Sequence, residues 1–121
     1  MIGKNDGMVQ PIPAEVPDLT PDALPEDVYL LDVREPDEWV AGHAPHAHHI
    51  PMREIPGRLA EVPTVGDVVV VCRVGGRSAQ VAAYLAAQGW ENVANLDGGM
   101  LSWEASGRPV VADTGIPARV I

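Results

Sequence analysis

Residues 67–78 read D-V-V-V-V-C-R-V-G-G-R-S, and this stretch decides how the rest of the chain is interpreted. The four valines, Val68–Val71, form an apolar run typical of a strand buried in a parallel sheet. A loop with two glycines and two arginines follows, and the next segment, 78–88, has helical spacing and ends at Gly89. The only cysteine, Cys72, stands where strand meets loop. A strand, a tight turn and a helix start commonly build an anion site, and we expect a thiol at its mouth.

Apolar runs on both sides of this stretch predict the rest of a sheet. Predicted strands lie at 28–33, 48–50, 68–71 and 93–96, and predicted helices at 36–41, 52–62, 78–88 and 100–106. The second helix should begin near Pro56, because proline is tolerated in a first turn and not in a helix interior. Alternating short strands and helices predict an α/β fold with a mainly parallel sheet.

Composition narrows the class of function. The chain has 121 residues, 46% of them hydrophobic, which fits one globular domain with its own core. Its net charge of −9 argues against nucleic-acid binding and against adhesion to an anionic membrane. No apolar run is long enough to span a bilayer, and the N-terminus lacks a signal-peptide core. A single cysteine cannot form an internal disulfide, so we expect a reducing, cytoplasmic location.

The thiol needs activation if it is to react. An ordinary cysteine has a pKa of about 8.5 and is about 3% ionised at neutral pH. Lowering that pKa by about two units requires about 2.7 kcal/mol, of which a helix dipole supplies about 0.3–1 kcal/mol. The remainder should come from Arg73, Arg77 and loop N–H groups turned toward the sulfur. Gly75 and Gly76 should allow that geometry through positive φ and close backbone approach.

A lone cysteine at the end of a valine run can also be just a small buried hydrophobic residue. The sequence directly after Cys72 favours function over packing. A structural loop has no need to place two arginines and two glycines around one thiol.

Three blocks of the chain together resemble the rhodanese-like sulfurtransferases. The loop C-R-V-G-G-R-S at 72–78 is similar to the active-site loop of that family. The segment L-D-V-R-E-P-D-E-W at 31–39, followed by G-H-A-P and then Ile50-Pro51, is similar to its upstream block. L-D-G-G-M at 96–100, with Trp103, Gly107 and Pro109 after it, is similar to its C-terminal signature.

The resemblance implies a rhodanese-like α/β fold: a five-stranded, mainly parallel sheet with helices on both faces. The three blocks occur in the family's order and place the domain at residues 14–111. Residues 1–13 are then expected to be a flexible N-terminal segment, and residues 112–121 a C-terminal tail.

The resemblance also implies a reaction. Cys72 would be the nucleophile that takes a sulfane sulfur from a small anionic donor such as thiosulfate and becomes a persulfide. Cyanide or a protein thiol, such as one on a sulfur-acceptor protein, would then remove that sulfur, and no cofactor is implied. Asp32 and Arg34 are candidates for a supporting role. The implied binding loop for substrate and persulfide consists of Arg73, Val74, Gly75, Gly76, Arg77 and Ser78.

Several of the candidate site residues have an alternative role. The Ser78 hydroxyl could bond the sulfur or simply cap the following helix. Asp32 could lie near the cysteine loop, whereas Arg34 could form an ion pair that joins the strand end to the next turn. Val74 occupies a position that is basic in some thiosulfate-using members, which leaves the donor open. The histidine cluster His43, His46, His48 and His49 has no companion cysteine, so we expect no metal site.

Other functions compete with the enzyme. A persulfide relay or binding module for one dedicated protein partner fits the same residues. A cysteine-dependent phosphatase or arsenate reductase is disfavoured, because four residues separate Cys72 from Arg77 and the phosphatase loop has five.

Overall fold

The computed structural model of the chain describes residues 16–121, and within them five strands form one sheet. Every pair of neighbouring strands is parallel, which confirms the predicted α/β class. Across the sheet the order is β1-β5-β4-β2-β3, so β4, the strand before the cysteine, is central. The strands are β1 Asp18–Leu19, β2 Tyr29–Asp32, β3 His48–His49, β4 Val68–Val71 and β5 Val93–Leu96.

Helical segments cover both faces of the sheet. The α-helices are α1 Pro36–Ala41, α2 Gly76–Ala87 and α3 Gly99–Ala105, and the 3₁₀ segments are Pro21–Ala23 and Met52–Glu61. None of these helices, all within residues 16–121, is long and apolar enough to cross a bilayer.

The central strand is buried on both of its faces. Val68 and Val70 belong to one core, with helix α2 and the longer 3₁₀ segment, whereas Val69 and Val71 belong to a second core with helix α3. Alternation of this kind follows from the two-residue period of a strand. It explains why strand β4 is an unbroken apolar run rather than an alternating one.

Two predicted helix starts were wrong. Helix α2 begins at Gly76, two residues before the predicted Ser78, because Gly75 takes the capping position. The longer 3₁₀ segment begins at Met52 and not near Pro56. The N–H of Met52 still pairs with the carbonyl of Val33 at 3.0 Å, so the chain leaves the sheet and turns at once. Pro56 lies inside the segment, where it removes a single backbone donor.

The C-terminal tail predicted for residues 112–121 makes specific contacts with the rest of the chain. The N–H of Arg119 donates to the carbonyl of Ala41 at 2.9 Å, which ties this part of the tail to the end of helix α1. The domain limits of 14–111 stay a prediction. The flexible segment predicted for residues 1–13 lies outside the described residues.

Candidate active site

Cys72 directly follows strand β4, at the carboxyl edge of the sheet. Its side chain is 0% exposed, so the thiol lies at the base of the loop. The sequence had suggested a position at the mouth of the loop. Parallel α/β sheets bind their ligands at this edge. The position therefore suits a reactive group that is reached only through the loop above it.

The loop after Cys72 turns polar groups toward the sulfur. The N–H of Gly75 lies 3.1 Å from Sγ, and the Oγ of Ser78 lies 3.2 Å from it. Gly75 has a φ of 116°, in the left-handed region that glycine adopts readily, and it caps helix α2. Gly76 is different: it is the first helical residue and has no positive φ, so the expectation that both glycines need left-handed geometry was wrong for it.

The environment of Cys72 acts on its thiol in two directions. Burial is the largest effect and raises the pKa of Cys72, because a thiolate loses hydration there. The hydroxyl of Ser78 and the N–H groups of Ser78, Gly75 and Val74 act as donors toward the sulfur and lower the pKa. Together they outweigh burial, and the pKa of Cys72 lies below its ordinary value. The site thus stabilises the thiolate relative to an ordinary cysteine.

Both loop arginines are bonded to groups other than the sulfur. Arg77 makes a bidentate ion pair with Glu38 of helix α1, at 2.7 and 3.0 Å. The Nε of Arg73 donates to the carbonyl oxygen of Ile121 at 2.9 Å. The sequence had assigned much of the activation of Cys72 to both guanidiniums, but one is paired with a carboxylate and the other is held by the tail.

Ser78 does not cap helix α2; it lies in the helix's first turn with its Oγ within hydrogen-bond distance of the Cys72 sulfur. The same Oγ lies 2.5 Å from the amide oxygen of Asn95 in strand β5. The amide nitrogen of Asn95 in turn donates to the carboxylate of Asp18 in strand β1 at 3.0 Å. The sequence reasoning missed Asn95 and Asp18. A polar side chain inside the apolar run Val93–Leu96 was the available signal for Asn95.

Asp32 and Arg34 form a fully buried ion pair. Two guanidinium nitrogens of Arg34 bond the Asp32 carboxylate at 2.8 to 3.1 Å, and one of them also donates to the carbonyl of Gly42 at 2.8 Å. Both side chains are 0% exposed. This arrangement joins the end of strand β2 to the turn after helix α1. The structural interpretation given for Arg34 therefore describes what the residue does here.

Helix α3 packs its first turn directly on the cysteine loop. The N–H groups of Met100 and Leu101 donate to the carbonyls of Cys72 and Arg73 at 2.8 and 3.1 Å. Gly99 has a φ of 58°, and a Cβ placed on it would overlap the backbone of Cys72 and Arg73. The missing side chain of Gly99 is what lets the loop and the helix approach so closely.

Three histidines of the cluster stack on aromatic rings. Trp39 stacks with both His43 and His49, at ring-centroid distances of 3.6 and 4.8 Å, and His48 stacks on Tyr29 at 4.1 Å. His43 and His49 also hydrogen-bond backbone carbonyls. Between residues 16 and 121 no group of three or more His, Cys, Asp and Glu side chains is arranged to hold a metal ion.

Comparison with known proteins gives consistent matches. A family model described as a rhodanese-like domain matches residues 14–106, which span all five strands and the cysteine loop. A sulfurtransferase of Allochromatium vinosum is 48% identical over 90 residues, 74% of this chain and 84% of that protein. The thiosulfate sulfurtransferase GlpE of Pseudoalteromonas translucida is 36% identical over 81 residues, 67% of this chain and 77% of GlpE. The crystal structure of a rhodanese-related protein from Thermoplasma volcanium has a TM-score of 0.74 at 30% identity, over 80% of this chain and 99% of that one.

Proposed function

Because the chain belongs to the rhodanese-like domain family, we propose that it is a sulfurtransferase that carries sulfane sulfur as a persulfide on Cys72. The observation that carries this proposal is the hydrogen bonding of the sulfur. A buried thiol that accepts bonds from a hydroxyl and from loop N–H groups, and whose pKa lies below the ordinary value, is a nucleophile rather than a packing residue.

The proposed reaction has two displacements. The Cys72 thiolate attacks the outer sulfur of thiosulfate, a new S–S bond forms, and the old S–S bond breaks with its electron pair leaving on sulfite. The persulfide then bears its negative charge on the outer sulfur. Cyanide attacks that sulfur, thiocyanate leaves, and the thiolate returns. Charge balances in both steps, so neither an oxidant nor a cofactor is needed.

Burial of Cys72 restricts the donors that fit this proposal. With the thiol 0% exposed, the transferable sulfur must be terminal and narrow enough to enter the loop. Thiosulfate meets both conditions, and so does the outer sulfur of a persulfide on another protein. The loop N–H groups would then hold the anionic outer sulfur, because they are the donors that face this space.

Mass spectrometry of the intact protein tests the proposal. After incubation with thiosulfate, the wild-type chain should gain the mass of one sulfur atom, and Cys72→Ser should gain none. Cyanide should then remove the added sulfur and release thiocyanate. No sulfur uptake from thiosulfate, from mercaptopyruvate or from a cysteine-desulfurase donor would refute the enzyme assignment.

The molecule that accepts the sulfur from the Cys72 persulfide is identified by a separate measurement, the discharge of the loaded protein. If the persulfide forms and cyanide removes it at every turnover, a small-molecule enzyme is supported. If the persulfide forms but only a thiol on a second protein discharges it, the chain is a relay for that partner. The loaded protein can be tested against both acceptors, with the Cys72→Ser variant as the control for uncatalysed transfer.

A further inference from the structure

The hydroxyl of Ser78 has more acceptors around it than protons to give. Its Oγ lies 2.5 Å from the amide oxygen of Asn95, 3.2 Å from the sulfur of Cys72 and 3.2 Å from the carbonyl oxygen of Gly75. A serine hydroxyl donates one hydrogen bond. The Gly75 carbonyl already accepts from the N–H of Ala79 at 3.1 Å and from the Asn95 amide at 3.3 Å. The competition is therefore between Asn95 and Cys72.

Asp18 fixes which end of the Asn95 amide faces the serine. The NH₂ group of Asn95 donates to the Asp18 carboxylate at 3.0 Å and to the Gly75 carbonyl. Turning the amide over would place its oxygen against both of these acceptors, which is repulsive on both sides. The amide oxygen must then point at Ser78. Asn95 is 5% exposed, so little water is at hand to replace a lost partner.

The protonation state of Cys72 decides which acceptor receives the hydroxyl proton of Ser78. When Cys72 is a thiol, its S–H can donate to Ser78 while Ser78 donates to Asn95, and every group is satisfied. When Cys72 is a thiolate, the sulfur and the amide oxygen both need the Ser78 proton. Either the Asn95 oxygen is then left without a bond, or the sulfur keeps only its bonds from the loop N–H groups, and both arrangements are unfavourable.

Building on the proposed function, we propose that Asn95, oriented by Asp18, is a positioning residue that competes with the Cys72 sulfur for the hydroxyl proton of Ser78. The persulfide relieves the competition, because its charge lies on the outer sulfur and the Ser78 proton can return to Asn95. The network thus disfavours the free thiolate relative to the loaded cysteine. It biases the first displacement toward sulfur uptake.

Among the charged groups that the structure describes around the loop, Asp18 of strand β1 is the one bonded to Asn95. Arg77 interacts with the charge of Cys72 but is paired with Glu38 of helix α1, and Arg73 is held by the carbonyl of Ile121. Asp32, at the end of strand β2, is paired with Arg34. Because replacing Asn95 also releases Asp18, a change in the thiol pKa is assigned to the hydroxyl proton only if it disappears when Ser78 is absent.

The test is the pH dependence of Cys72 alkylation by iodoacetamide, measured without any sulfur donor. Asn95→Ala should lower the thiol pKa by roughly half to one unit, the worth of one neutral hydrogen bond, because the competitor is gone. Ser78→Ala should raise it, because the thiolate loses a donor. In the Ser78→Ala background, Asn95→Ala should change nothing. Val93→Ala, a truncation in the same strand, is the control and should leave the pKa unchanged.

Several outcomes overturn the proposal. An unchanged or raised thiol pKa in Asn95→Ala does so, and so does an equal shift with and without Ser78. If urea unfolding shows that Asn95→Ala does not fold, Asp18→Asn replaces it. Asp18 is exposed on an edge strand, and its neutralisation removes one of the two acceptors that hold the Asn95 amide oxygen toward Ser78, so the thiol pKa should again fall. If no donor loads the wild type while these shifts occur, the sulfurtransferase assignment fails and the proton competition stands.

Discussion

Gly99 is the point at which helix α3 meets the cysteine loop, so replacing it with alanine should displace the loop. Its φ of 58° lies in the left-handed region, and the new Cβ would fall 2.5 Å from both the carbonyl carbon and the oxygen of Arg73. Backbone atoms cannot swing aside as a flexible side chain can. Helix and loop must therefore separate, and the bonds from Met100 and Leu101 to the loop carbonyls are lost.

The cost can be worked from these contacts. A left-handed conformation costs a residue with a Cβ about 1–2 kcal/mol. Each lost hydrogen bond costs about 0.5–1.5 kcal/mol, and two are at stake. Gly99→Ala should therefore lower the free energy of unfolding by about 2–5 kcal/mol. Because total stabilities are about 5–15 kcal/mol, the variant should be measurable and weakened rather than unfolded.

Gly107→Ala is the matched control. Gly107 has a φ of 85°, also left-handed, yet nothing lies within 4 Å of its added Cβ. It carries the conformational cost alone, about 1–2 kcal/mol. Urea unfolding compares the two variants, and alkylation of Cys72 shows whether the loop has moved. Equal losses of stability together with wild-type alkylation in both would refute the reasoning.

The next predictions concern charged pairs. Glu38→Gln should lower the thiol pKa, because Arg77 then faces the sulfur without a compensating carboxylate; an alkylation profile that is unchanged or moves to higher pH would contradict this. The hydrogen bond from Arg77 is the main cause that holds the pKa of Glu38 below its usual range. The pair therefore stabilises the fold above the ordinary carboxyl pKa of about 4.3, and this contribution is lost as pH falls through the lower folded value. As the pH falls from the ordinary carboxyl pKa to the lower folded value, the urea midpoint of the wild type should fall more than that of Glu38→Gln. An equal fall of the two midpoints would contradict a contribution of the Glu38–Arg77 pair to stability. Asp32→Ala should cost about 3–5 kcal/mol, because it leaves the buried Arg34 uncompensated. Arg58→Ala breaks only exposed ion pairs and should lower the free energy of unfolding by less than about 1 kcal/mol. Urea unfolding compares Asp32→Ala with Arg58→Ala, and similar losses of stability in the two variants would contradict both predictions.

Local sequence patterns predicted the centre of the sheet and missed its edge. Strands β4 and β5 have the predicted bounds, because their residues are apolar on both faces, apart from Asn95, and are flanked by turn residues. Asp18–Leu19 carries no such pattern: it is two residues long and becomes a strand only by pairing with Asn95 and Leu96. Pairing over that distance in sequence leaves no local signal.

The same contrast holds at the site. Cys72 and its loop are one contiguous stretch, so their chemistry could be inferred directly. Ser78 meets Asn95 across 17 residues, Asn95 meets Asp18 across 77, and Arg77 meets Glu38 across 39. Which polar groups face one another at these distances depends on strand order and helix placement. The loop residues were therefore predicted, whereas their partners were not.

These partners change the explanation for the activation of Cys72. The sequence analysis assigned about 2 kcal/mol of thiolate stabilisation, the part that the helix dipole does not supply, to the arginines and the loop amides. Hydrogen bonds to a charged group contribute about 1.5–3 kcal/mol each, so the bonds from the loop and Ser78 can supply that amount and offset burial without a net positive charge. Arg77→Ala should then raise the thiol pKa mainly because it exposes the sulfur to an unpaired Glu38. The double variant Glu38→Gln/Arg77→Ala decides between the two accounts: it should restore the wild-type alkylation profile if hydrogen bonds activate the thiol, and should keep the raised pKa if the arginine charge does.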